Sequence, residues 1–162
     1  MANQGLDTYL NDHHAGATAG VNLARMAADE HQQHEHGPFF NEILHEIQTD
    51  HDTLEQLMVK LGVGQSATKT AAAEVGSKLM AGKFTGTEDQ LNAFVTLETL
   101  SIGVEGKHCM WKALKCVEGD VAGLEEFDLD DLISRAQSQR ERLEAKRLEL
   151  APAALAGQTV SA

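Results

Sequence analysis

The chain has 162 residues, a formal net charge of -12 and 42% hydrophobic residues, with aromatics at only 4%. That length suits one domain with a substantial core, and so few aromatics beside two prolines point to helices packed through Leu, Ile, Val and Ala. The acidic balance excludes nucleic acid and anionic membranes as partners, because both are held by Lys and Arg.

No apolar run approaches membrane-spanning length, and the opening M-A-N-Q-G-L-D-T-Y-L-N-D has neither a basic start nor an apolar core. A cytoplasmic protein is therefore expected. Cys109 and Cys116 stand seven residues apart on one expected helix, about 10 Å along its axis and beyond the reach of a disulfide. They are expected to be reduced thiols.

A first helix is expected over residues 6–34, with Leu6, Leu10, Ala17, Val21, Ala24 and Ala28 on one stripe. Its middle, A-G-A-T-A-G-V, is almost all small, which predicts close approach of a bulky neighbour such as the helix at 91–114. The polar turn H-E-H-G ends it, and Pro38 at a first helical position opens the second helix. That helix carries Phe40, Ile43, Leu44, Ile47, Leu54, Leu57, Met58 and Leu61 at helical spacing and stops at Gly62 and Gly64. A weaker third helix is expected over 66–83, with Ala72, Val75 and Leu79 facing in. Thr87-Glu88-Asp89-Gln90 then reads as a capping box.

Residues 91–114 form the central helix. Leu91, Phe94, Val95, Leu97, Leu100, Ile102, Val104, Cys109 and Trp111 cover more than half its circumference. Asn92, Thr96, Thr99, Gly103, Gly106 and Lys107 make the opposite strip. Glu98, Ser101, Glu105, His108 and Lys112 fall inside the apolar arc, where charges need partners. The acidic stretch 120–126 reads as a linker or a short turn. Asp128 caps a last helix with Leu129, Leu132, Ile133, Ala136, Leu143 and Leu150 inward. Pro152 is expected to close it, leaving 151–162 as a disordered tail behind a single domain of residues 1–150. Short connections imply antiparallel neighbours, so the expected fold is an all-α, up-down antiparallel four-helix bundle with an additional C-terminal fifth helix packed on it.

Two E-x-x-H strings occur, Glu42-Ile-Leu-His45 and Glu105-Gly-Lys-His108. With helix number, order and length over the first two-thirds of the chain, they resemble the ferritin-like superfamily, whose bundles hold paired iron or manganese through such motifs. The resemblance implies a ferritin-like bundle, and a metal-binding member would take iron, manganese or zinc. This chain departs from the pattern: Glu42, His45 and Glu46 fall opposite the stripe of Ile43, Ile47, Leu54 and Leu61 and lie at a different depth from Glu105. The four-carboxylate set is not intact.

By facing and depth, Arg25, Asp50, His51 and Glu98 form one tier and His13, Glu105 and His108 a deeper one. One reading is an ion-pair network in which Arg25 forks between Asp50 and Glu98 while Lys112 pairs with Glu105. The other is a metal held by Asp50, His51, Glu98, Glu105 and His108. A second metal candidate is the hairpin tip, with His31, His34 and His36. The chain has no G-x-x-x-x-G-K loop, no G-x-S-x-G elbow and no C-x-x-C pair, so no catalytic set is assigned. The expected function is a non-catalytic bundle with structural buried charges. It self-associates as a homo-oligomer such as a dimer, or binds a protein partner, through the small residues of 15–28 and the flank Leu97, Leu100, Val104, Trp111 and Leu114. The alternative is a ferritin-like protein that stores, buffers or oxidises metal.

Overall fold

The computed structural model describes residues 4–64 and 89–157, and among them every regular element is helical. The helices are α1 (Gln4–Glu30), α2 (Gly37–Lys60), α3 (Asp89–Cys116) and α4 (Leu129–Ala156), with one 3-10 turn at Leu124–Glu126. The expected helix at 66–83 and the capping residue Thr87 lie outside the described residues. Among those described, no helix is long and apolar enough to cross a membrane.

Local chemistry sets the boundaries. Pro38 sits in the first turn of α2, where its missing N–H costs nothing. At the other end, Gly62 takes a φ of 69°. Its N–H donates to Val59 O at 3.1 Å while the Val63 N–H donates to Met58 O at 2.9 Å, a Schellman closure with Val63 buried behind it. Asp128 caps α4 by accepting from the Asp131 N–H at 2.9 Å, as its position predicts.

Two boundaries differ from expectation. α1 ends at Glu30, because the chain turns through 31–36 toward Gly37, where a Cβ would lie 2.7 Å from His31 O. Pro152 does not close α4, which continues to Ala156 and is capped by Gly157 at φ 61°. Proline removes the N–H that would bond four residues back, and its ring crowds the carbonyl there. Leu148, whose carbonyl loses that partner, is 55% exposed, where water can replace the bond.

Polar contacts fix the directions. Asn11 Nδ2 donates to Gly64 O at 3.1 Å, which sets α1 antiparallel to α2. The pairs Glu98–Arg147, Glu105–Arg140 and Lys115–Asp130 run antiparallel up α3 and α4. Arg142 of α4 holds Glu42 and Glu46 of α2, and Lys60 meets Glu126 of the 3-10 turn. α4 packs chiefly along α3, and its Ala136, Leu143 and Leu150 are buried there. One apolar cluster joins Phe40, Ile43, Leu97 and Leu143 toward the hairpin tip. A second gathers Leu10, Leu54, Met110, Trp111 and Leu129 toward the other end.

Candidate functional site

Asp50, with 1% of its side chain exposed, is a fully buried charge paired on both carboxylate oxygens. Its Oδ2 accepts from Lys107 Nζ at 2.5 Å and from Gln139 Nε2 at 3.0 Å, and Arg135 donates to its Oδ1. Lys107 also donates to Gln139 Oε1 at 2.5 Å. Three helices are thus tied through one carboxylate, the arrangement a buried charge requires to offset its desolvation. Burial pushes the Lys107 pKa down, and the facing Asp50 carboxylate opposes that shift. Arg25, expected to fork between Asp50 and Glu98, is exposed on α1. Lys107, placed by periodicity on the outward strip, reaches inward instead.

The five residues expected as metal ligands are not gathered at one point. Glu98 accepts from Arg147 at 3.2 Å with 51% of its side chain exposed. Glu105 lies 3.2 Å from Arg140 Nε, so α4 supplies both partners, while Lys112 is exposed. His108 Nδ1, buried with no hydrogen-bond partner, lies 3.9 Å from Glu105 Oε2, the oxygen that Arg140 pairs with. Cys109 donates weakly to Glu105 Oε1 at 3.7 Å. His51 faces α1.

At the tip, His31 is buried and stacked on Phe40 with ring centroids 4.9 Å apart, which makes its ring part of the core. His31, His34 and His36 share a cavity of about 370 Å³ with Glu35, Gln90, Ala93 and Leu150. Their nitrogens do not converge as a three-ligand group. Glu42 and His45 are exposed, as their facing predicts.

Sequence reasoning missed two arrangements. The first is a cavity of about 600 Å³ walled by α1, α2 and α3. Gly16 and Gly20 of α1 and Gly103 and Gly106 of α3 line it, and a Cβ built on any of the four would meet nothing among the described residues within 4 Å. The small residues of α1 therefore open space beside α3 at these positions instead of drawing it close. Leu23, Ile47, Leu54, Leu100, Val104 and Met110 make the wall apolar. Asp50 and Lys107 contribute an internally neutralised pair, and Trp111 lines it with an Nε1–H that is buried without an acceptor. Asp12, Gly16, Ile102 and Gly103 are exposed at its rim. The signal in the sequence was the small-residue stripe of α1, read as close packing, and Gly103 and Gly106 of α3, read as the strip opposite its apolar arc.

The second is a group joining α1 to α2. His14 Nε2 lies 3.0 Å from Glu55 Oε1, and the His14 and His51 rings are 5.1 Å apart. One donor atom from each of the three falls within 4.8 Å of the others, the only such trio among the described residues. The i, i+4 spacing of His51 and Glu55 was its sequence signal. Comparison with protein-family models, with curated proteins and with solved structures finds no match for the chain.

Proposed function

We propose that the protein is a non-catalytic, cytoplasmic helical-bundle binding protein of ferritin-like type that takes an apolar small molecule carrying one hydrogen-bond acceptor into the cavity between α1, α2 and α3. The observation that carries this reading is the unpaired indole N–H of fully buried Trp111 on the wall of an apolar cavity of about 600 Å³. Ligand sites of about 300–1,000 Å³ are mostly apolar with a few placed polar groups. A buried donor left unpaired costs roughly 1–3 kcal/mol, which an acceptor on the ligand recovers. Asp50 and Lys107, the two charges of the ion-pair network on the wall, are already paired with each other, and Asp50 with Arg135 as well, which favours a neutral ligand over an ion.

The buried charges then serve the fold: they hold helix register around a space that side chains of the described residues do not fill. The α3 flank of Leu97, Leu100, Val104, Trp111 and Leu114, offered above as a docking face, is buried within the chain's own core. A self-association surface would use the exposed Val59, Ile102, Leu148 and Leu155 instead.

Calorimetric titration with 2-octanone tests the reading, using the parent chain and a Gly20→Leu plus Gly103→Leu variant that fills the space. Saturable binding of one equivalent to the parent, abolished in the folded variant, is the expected result. No heat with the parent, or equal binding to both, overturns it.

A further inference from the structure

The trio His14, His51 and Glu55 lies outside the core ion-pair network and shares only His51 with the wall of the cavity. We infer that it is a binding site for one divalent transition-metal ion of the zinc type, with two imidazole nitrogens and one carboxylate oxygen as ligands.

The sequence produces this arrangement through helix register. His51 and Glu55 are four residues apart and share a face of α2, and antiparallel packing of α1 sets His14 opposite them. Two imidazoles and a carboxylate are the donor set of open four-coordinate zinc sites, in which the remaining position takes water or another ligand. Donor atoms at about 2.0–2.2 Å from a tetrahedral metal lie roughly 3.5 Å apart. Here His14 and Glu55 are at 3.0 Å and the whole group spans no more than 4.8 Å. Small side-chain rotations suffice to close it.

The surroundings restrain the rings as outer-shell partners do. Thr18 Oγ1 lies 3.1 Å from His51 Nε2, and Asp52 Oδ1 lies 3.7 Å from its Nδ1, so whichever nitrogen binds the ion, the other keeps a polar neighbour that orients the ring. Both histidine side chains are only 16% exposed, which shields a bound ion from bulk water, while Glu55 at 39% leaves a path in. With the ion absent, the His14–Glu55 hydrogen bond keeps the donors together, so little ordering is needed on binding.

The test is titration of the full chain, free of any affinity tag, with Zn²⁺ by calorimetry and with Co²⁺ by visible absorption. The expected result is one equivalent bound, with the intense absorption of tetrahedral Co²⁺. Affinity should fall more than about 100-fold in His14→Gln and in His51→Gln, beyond the 10–100-fold that loss of an outer-shell partner costs. His34→Gln plus His36→Gln at the tip should leave it unchanged. Should either single variant unfold, Glu55→Gln, which keeps volume and hydrogen bonding, is read in its place with the same expectation. No binding by the parent overturns the assignment. So does binding that survives the His14 and His51 changes, or binding lost only with the tip histidines.

Discussion

Lys107 of α3 and Asp50 of α2 meet at 2.5 Å inside the bundle, with 14% and 1% of their side chains exposed. Such a pair adds little over an apolar one of the same shape, yet losing one partner strands the other charge. Asp50→Ala is expected to cost about 3–5 kcal/mol, because it leaves Lys107 with only the Gln139 amide. Lys107→Met costs less, since Arg135 and Gln139 still serve Asp50. Urea unfolding at neutral pH measures both, and a smaller loss for Asp50→Ala than for Lys107→Met contradicts the network as drawn.

Glycines in mid-helix carry a conformational cost that this fold tolerates at the cavity. Gly16→Ala and Gly103→Ala add a methyl group that meets nothing, so each should raise stability by about 0.5–1 kcal/mol. Gly37→Ala is the opposite case. Its Cβ would stand 2.7 Å from His31 O and 3.0 Å from Gln32 O, both backbone atoms, and a loss of about 1–3 kcal/mol is expected. Thermal unfolding of the three variants reads both signs.

His13 packs edge-on against Tyr9, with ring centroids 4.5 Å apart, and lines the cavity. Burial pushes its pKa below the ordinary value, with Asp12 opposing. His36 shifts the same way, through burial and then Lys146. The unfolded chain therefore takes up these protons first, and their contribution is full above the unfolded pKa near 6.5 and lost as pH falls through the folded values. The urea midpoint should drop between about pH 7 and pH 5, and His13→Gln should flatten that slope. An unchanged slope in both His13→Gln and His36→Gln would show that other groups set it.

Apolar periodicity made α1, α2, α3 and α4 legible, because each buries one continuous stripe, and the Pro38, Gly62 and Asp128 boundaries followed from backbone chemistry that is local to a few residues. The facing of α3 was harder to read. Thr99, Gly103, Gly106 and Lys107 look like a solvent strip, but they line a cavity, which small and polar residues can do without filling it. Glu98 and Glu105 sit at the edge of the apolar arc, where arginines of α4 reach them. No pattern within one helix shows that reach. His14 with Glu55, and Asp50 with Lys107, depend on the register between helices, so single-helix periodicity singled out Asp50 and missed the other three.

The chain contains a single tryptophan, and it stands on the cavity wall. Its emission is therefore the most direct readout of occupancy. Titration with 2-octanone should give a saturable change in Trp111 fluorescence, with octane binding at least about fivefold more weakly because it offers the indole N–H no acceptor. A change that does not saturate, or none for either compound, would contradict the cavity as a binding site.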